Sequence, residues 1–501
     1  MTTLRLPLVV AALLALAAPA GAQAPNFERW YVLLIGGDRA GHAHLVQRRD
    51  EAERIITESR TVITIRRGPV EMRIEQDSSF VESAAGEPIE ATARTLMGTS
   101  QSMQTLRFTP GGAELTHEQG GRSSTRAVAL DPDDDWLPPA AAQRVVTEAI
   151  EGGEERVSVR TLELQAGPRP FEITMDRIGP REVEVFGRVV PATLWEVGVS
   201  ILPGVTSREY LDDRGEALRT TVALMPGMEI TMLAADRDLA LAEVDPPQLL
   251  ASLFVQPDRP IANPRQLRHG SYRVRFDAPP VERHAPVLPS VGRQRVERVE
   301  AGTYVVTIDL DDRAAAGDDE APTDDDRAAS PMIDHADPAV LKLLAEALGG
   351  EAADARPAGE TAERLRQFVH EFITAKDLSV GLGSASEVAR TAQGDCSEHA
   401  VLLAALLRAA DIPARTATGL LYVDHFLDAR NTFGGHMWTQ AWLDGAWVDL
   451  DPTLGPAAAY DAAHITFGVS SMSAQDMTND LMAIAPMLAG MQIEVLEPAA
   501  Q

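Results

Sequence analysis

The segment His436-Met437-Trp438-Thr439-Gln440-Ala441-Trp442-Leu443-Asp444-Gly445-Ala446-Trp447-Val448-Asp449-Leu450-Asp451-Pro452-Thr453 reads as a β-hairpin. Asp444-Gly445 lies between two β-prone runs, and that dipeptide is a favoured two-residue turn because both positions take positive φ. The loop length sets the register: Leu443 faces Ala446, Trp438 opposes Asp451, and His436 opposes Thr453. His436 and Asp451 are then diagonal neighbours on one face, within reach of a long side chain. A one-residue slip would send them to opposite faces. Trp438, Trp442 and Trp447 are expected to be core or cleft wall.

Forty residues upstream stands Gly394-Asp395-Cys396-Ser397-Glu398-His399, followed by an apolar run to Asp411-Ile412-Pro413. Asp395 is a favoured N-cap, and Glu398 three residues later completes a capping-box pattern. Cys396 becomes the first residue of a helix, where unpaired backbone amides and the helix dipole favour a thiolate. A thiolate used as nucleophile needs a base, and the base needs an orienting group. His436 and Asp451 are of the right types for those two roles.

Two blander readings of these residues stay open. The one cysteine of the chain can be a buried filler, with His436 and Asp451 as ordinary hairpin residues. Cys396 and His399 also have C-x-x-H spacing, which can place two zinc ligands on one helix face. One thiol with scattered histidines and no CxxC is not a usual structural zinc set, so His399 is read as packing or supporting the site. No metal or cofactor is expected.

Taken together these pieces resemble the transglutaminase-like superfamily, specifically its bacterial exported cysteine-peptidase members. The resemblance rests on Gly394-Asp395-Cys396, the helix ending Leu406-Leu407-Arg408-Ala409-Ala410-Asp411-Ile412-Pro413-Ala414-Arg415, Gly419, His436-Met437-Trp438, Trp447 and Asp451-Pro452-Thr453. It covers roughly Ala339–Gly468. It implies a papain-like α+β core with Cys396, His436 and Asp451 as a triad that forms a thioester with a peptide or carboxamide substrate. Two positions depart from the wider family. Asp411 stands where Gly is usual, and Asp395-Cys396-Ser397 replaces the Gln-Cys-Trp of cross-linking transglutaminases, which removes the basis for carrying over cross-linking or calcium activation. The Cys396 amide is a reasonable oxyanion donor; Gln393 is the one side-chain candidate beside it.

The rest of the chain frames this segment. With 501 residues, about three domains of roughly 100–200 residues each are expected. From Asn26 to Ala242 alternating runs such as Trp30–Ile35, His42–Arg48, Arg54–Arg66, Val70–Gln76, Gln104–Phe108 and Ala113–Glu118 predict long antiparallel strands, interrupted by a helix over Ala140–Glu151. His42 and His44 share a strand face; a metal pair is conceivable, but solvent-facing or packed strand histidines are the favoured reading. Short strands are predicted at Ser271–Phe276 and Tyr304–Ile308, then helices at Ala339–Leu348 and Ala362–Ile373. Strand patterns return over Thr416–Val423. The expected organisation is 1–22 signal peptide, 23–245 antiparallel β domain, 246–312 small β domain, 313–330 acidic linker and 331–501 catalytic domain. The fold class is α+β, with mostly antiparallel β domains preceding the core.

Met1–Arg5 is short and basic, Leu6–Ala18 is apolar, and Ala20-Gly21-Ala22 suits signal peptidase, with Ala24 an equal alternative. That order predicts export to a periplasmic or extracellular space. The apolar run is too short for an ordinary span, and no later run supplies about 18 apolar residues. No cysteine stands directly after the signal region, where a lipid-carrying one would be expected. Net charge is −29, which disfavours nucleic acid and anionic lipid as partners. The acidic stretch Asp309–Ser330 lacks the spacing of a calcium loop and reads as solvated linker. The expected substrate is a protein or peptide of the cell envelope, released to water or to an amine. The reading from another class is a non-catalytic periplasmic binding or scaffold protein. Substrate identity and oligomeric state are not set by these residues.

Overall fold

The computed structural model describes residues 26–498 apart from 68–69, 99, 120–121, 131–134, 165–167, 202–204, 226–227, 249–253, 277–287, 313–319, 376–382, 427–428, 457 and 473–489. The proposed signal segment and the first part of the acidic linker lie outside the described residues. The chain divides into two compact units, with the boundary after Gln248 and residues 67–70 grouped with the C-terminal unit. Strands dominate, in large antiparallel sheets. Among the described residues no helix is long and apolar enough to cross a membrane.

In the N-terminal unit, fourteen described strands form one antiparallel sheet, from β1 (Phe27–Ile35) to β14 (Met228–Ala235). Each strand pairs with the next in sequence from β1 to β8 (Arg122–Ala129) and again from β9 (Arg156–Glu163) to β14, and β14 pairs with β1. Burial alternates along these strands, as in Asp38–Arg49, so one face is packed and the other solvated. The predicted helix is present as α1 (Pro139–Glu151). Its N-cap, Pro138, has no side chain to offer the first amides. The fully buried Glu82 serves instead, accepting from the Ala140 N–H at 2.9 Å. His44 stacks on Trp30 at 3.8 Å and its Nε2 lies 2.9 Å from Glu28. Burial, with several arginines nearby, pushes His42 down to about 4. The pair thus behaves as packed strand histidines.

The C-terminal unit holds two sheets and a helical layer. One sheet has the order β17 (Gln294–Glu300), β18 (Thr303–Asp309), β16 (His269–Phe276), β23 (Met491–Pro498). The other runs β15 (Phe254–Val255), β20 (Ala429–Leu443), β19 (Ala414–Phe426), β22 (His464–Ser470), with β21 (Ala446–Leu450) on β20. The helices are α2 (Pro338–Leu348), α3 (Ala358–Phe372), α4 (Ala385–Thr391) and α5 (Cys396–Ala409). α5 is buried along almost its whole length, Val401 to Leu407 being 0–1% exposed. A helix apolar all round has to lie inside a core, and here it packs with α2, α3, α4 and the β19–β20 face in one cluster. Arg408, near its end, is buried because its guanidinium donates to the carbonyls of Ala414, Ala328 and Ser471. The residue after the helix cap, Asp411, takes φ +61°, the left-handed conformation that explains a usual Gly there.

Candidate active site

The β20–β21 hairpin has the expected register: Asp444 and Gly445 take φ +51° and +84°, Leu443 pairs with Ala446, Trp442 with Trp447, and the ladder continues to Thr439–Leu450. There it stops. The Asp451 N–H leaves the hairpin and donates to Ala459 O at 2.8 Å, so Asp451 opens a loop and is no longer a strand residue opposite Trp438. Its side chain still meets His436, whose Nε2 is 2.9 Å from Asp451 Oδ2. Arg366 on α3, fully buried, holds the loop from behind by donating to the carbonyls of Asp451 and Leu454 at 3.2 and 2.8 Å and pairing with Glu363.

Asp451 is saturated. Oδ1 accepts from the Thr453 N–H at 2.8 Å and its hydroxyl at 2.7 Å. Oδ2 meets Nε2 of His436 and, at 3.2 Å, Nε2 of His464. A carboxylate has about four lone-pair sites, and all four are used. Burial opposes the charge, but the His436 imidazolium, its hydrogen bond and His464 hold the carboxyl well below the usual range. Burial likewise pushes His436 down, and the Asp451 charge and hydrogen bond, with the Cys396 side chain on the ring, overcome it and raise His436 to about 9. The Cys396 side chain is thus close enough to His436 to favour its protonated form.

Cys396 is at the start of α5 with a half-buried side chain. The capping box is formed as expected: Asp395 Oδ1 accepts from the Ser397 N–H at 2.9 Å, and Glu398 Oε2 accepts from the Asp395 N–H at 2.9 Å. Glu398 is buried and its other oxygen accepts from Gly383 N–H at 2.8 Å. Burial and the neighbouring Asp395 carboxylate push Glu398 up to about 8. His399 is also buried, its Nδ1 lying 2.7 Å from Asp395 O. On the neighbouring strand Gly419 faces His436. A Cβ there would fall 1.9 Å from Ile465 O, so only glycine lets β22 approach.

Trp438 and Trp447 are buried. Trp438 Nε1 donates to Asp449 at 2.8 Å, and Arg415 lies 4.0 Å over the Trp447 ring, so these two are walls, as expected of all three tryptophans. Gln393 pairs with Ala375 through an isolated bridge. The feature that sequence reasoning missed is His464. It stands at the start of β22, a strand with no hairpin signal, between Tyr460 stacked on its ring at 4.2 Å and the edge of Trp438 at 5.2 Å. Donor atoms of His436, Asp451 and His464 lie within 4.8 Å of one another, near enough for a cation as well as for protons. Both imidazole nitrogens point at one carboxylate oxygen at hydrogen-bond length, which suits shared protons. Among the described residues the other such group, His269 with Asp309 and Asp311, is a largely exposed ion-pair cluster that also engages Arg268.

No curated protein matches the chain significantly. Among solved structures, weak similarity extends to a beta-barrel-like protein of a domain of unknown function, DUF1849, from Brucella abortus, at 12% identity over 43% of this chain and 98% of that one, with a TM-score of 0.33. It extends also to "a Putative Cysteine Protease" from Cytophaga hutchinsonii, at 15% identity over 45% of this chain and 82% of that one, with a TM-score of 0.27. Residues 343–452 match the family model of the transglutaminase-like superfamily. That stretch includes Cys396, His436 and Asp451, and it makes the C-terminal side of this chain a transglutaminase-like domain.

Proposed function

We propose that the protein is an exported, peptidase-type amide hydrolase or acyl transferase with an α+β, papain-like catalytic core. The observation that carries this reading is the position of His436, whose Nε2 lies 2.9 Å from Asp451 Oδ2 and whose protonated form is favoured by both Asp451 and the nearby Cys396 side chain. That is the geometry of a nucleophile, a base and an orienting acid.

In the proposed cycle the proton of Cys396 resides on His436, giving a thiolate–imidazolium pair. The sulfur attacks the carbonyl carbon of a peptide or glutamine-type amide, and the carbonyl oxygen becomes an oxyanion. The Cys396 N–H, in the first helical turn where amides have no intrahelical acceptor, is the candidate donor to that oxyanion. As the tetrahedral species collapses, the C–N bond breaks and His436 delivers its proton to the leaving amine, leaving a thioester on Cys396. Neutral His436 then takes a proton from water, or from an amine, as that nucleophile attacks the thioester. The acid or new amide departs, and the thiolate–imidazolium pair is restored. Asp451 keeps its charge throughout and fixes the imidazole. Acyl acceptors of both kinds fit this chemistry.

The test is a mass-spectrometric search for an acyl adduct. The protein is incubated with peptides from a cell-envelope digest, quenched in acid and mapped. A mass increase on the Cys396 peptide, lost in Cys396→Ala and shortened in lifetime by added primary amine, is the expected result. Absence of any adduct, together with iodoacetamide labelling confined to alkaline pH, would show that the domain is a binding module.

A further inference from the structure

His464 faces acceptors on both of its ring nitrogens. Nε2 is 3.2 Å from Asp451 Oδ2, and Nδ1 is 3.1 Å from Asp461 Oδ1 and 3.0 Å from Asp461 O. A neutral imidazole carries one N–H and has one nitrogen that must accept. With carboxylate or carbonyl oxygen at each end, only the doubly protonated ring satisfies all contacts. The anchor at the far end is itself held. Asp461 Oδ1 accepts from the Ala463 N–H at 2.9 Å, and Asp461 Oδ2 is 2.9 Å from Nη1 of Arg265. Arg265 in turn donates to Tyr422 O.

The row from His436 through Asp451, His464 and Asp461 to Arg265 therefore alternates in charge, and all but Arg265 are buried. His464 is wholly buried, so water screens its charge less than it would at the surface, and its effect on Asp451 is the stronger for it. The Tyr460 ring stacks on His464, Trp438 presents an edge, and the His436 ring centroid is 5.8 Å away. Burial lowers the affinity of His464 for its proton, but Asp461 and Asp451 outweigh this and raise it to about 9, which agrees with the geometric argument.

We propose that His464 is a positioning residue for the Cys396–His436 pair: as a fixed imidazolium it locks Asp451 Oδ2 in place and offsets part of the charge that Asp451 exerts on His436. This rests on the reading of Cys396, His436 and Asp451 given above. A carboxylate bound to a single imidazolium in a dry site would hold the His436 proton so tightly that its return to the leaving amine or recovery from water is slowed. A second imidazolium on the same oxygen weakens that grip. A structural role alone would require packing and hydrogen bonding at 464, and would be indifferent to charge.

Iodoacetate alkylation of Cys396 separates the two. The reagent is an anion, so its rate falls as the His436 imidazolium deprotonates, and the alkaline limb of the pH–rate profile reports His436. In the unsubstituted protein a bell-shaped profile is expected. In His464→Gln, which keeps a donor for Asp451 and loses the charge, the alkaline limb moves up by about one pH unit. In Asp461→Asn, which leaves His464 in place and frees its proton, the limb moves the same way by less. Thermal melts establish that each variant is folded. Profiles of folded His464→Gln or Asp461→Asn that coincide with the unsubstituted one overturn the role of His464 while leaving the Cys396–His436 pair intact. A profile without an alkaline limb in the unsubstituted protein, rising like that of a free thiol, overturns the pair itself.

Discussion

Gly394 lies against the side chain of Glu398, so that a Cβ on residue 394 would sit 2.2 Å from the Glu398 Cβ. This contact seats the carboxylate that caps Asp395, one residue before Cys396. Gly394→Ala has to push Glu398 away or shift the turn, since φ at 394 is +151°. A loss of ~1–3 kcal/mol of stability is expected from such overpacking, with a slower alkylation of Cys396 in the folded protein. Denaturant melts and iodoacetamide rates measure both; an Ala variant as stable and as reactive as its parent would contradict the contact.

Asp451→Asn preserves shape but removes the charge on which two imidazoliums rest. Turnover should fall by ~10²–10⁴, in line with loss of the orienting acid in comparable triads. Alkylation of Cys396 at mildly acidic pH should fall with it, because His436 no longer keeps its proton. An unchanged alkylation profile would remove Asp451 from the proposed mechanism.

Stability should depend on pH through the same cluster. His436 and His464 are raised from 6.5 to about 9, so folding favours their protonated forms. Their contribution is fully present below pH ~6.5 and is lost as pH rises through ~9. Asp451 is depressed from 3.8, so its contribution is present above that value and is lost as pH falls through its folded pKa. Melting temperatures between pH 5 and 10 should fall across the upper window, and the fall should be smaller in His464→Gln. Parallel curves would show that the imidazoles do not titrate as the buried contacts require.

Arg366→Lys tests how the Asp451 loop is held. The guanidinium donates to two loop carbonyls while pairing with Glu363, and a lysine ammonium cannot reproduce that fork. Destabilisation of ~3 kcal/mol or more is expected, because carbonyls and a buried charge lose partners together. Calorimetry of the variant gives the value, and a change under ~0.5 kcal/mol would place it among neutral surface substitutions.

Asp411→Gly should stabilise. Asp411 is exposed, its side chain 3.9 Å from that of Arg327, and at φ +61° a glycine escapes the steric cost of the left-handed region. A gain of up to ~1 kcal/mol is expected in denaturant melts; a loss would mean that the Asp411 carboxylate has a larger role than capping geometry assigns it.

What the sequence alone determined is local. The capping box at Asp395 and Glu398, the turn at Asp444-Gly445, the hairpin register as far as Thr439–Leu450 and the largely apolar helix after Cys396 each follow from residues within a few positions of one another, and each is present in the structure. Those same patterns picked out Cys396, His436 and Asp451. The contacts that complete the site are between residues far apart in the chain, where spacing carries no information. Asp451 lies beyond the end of its strand because its N–H is taken by Ala459. Arg366 reaches its loop from 85 positions away. His464 reaches Asp451 because β22 joins the sheet through β19, at a point where Gly419 has no side chain to keep Ile465 away. Only the packed tertiary structure puts a second imidazole on the Asp451 carboxylate, since burial and alternating charge act on neighbours in space.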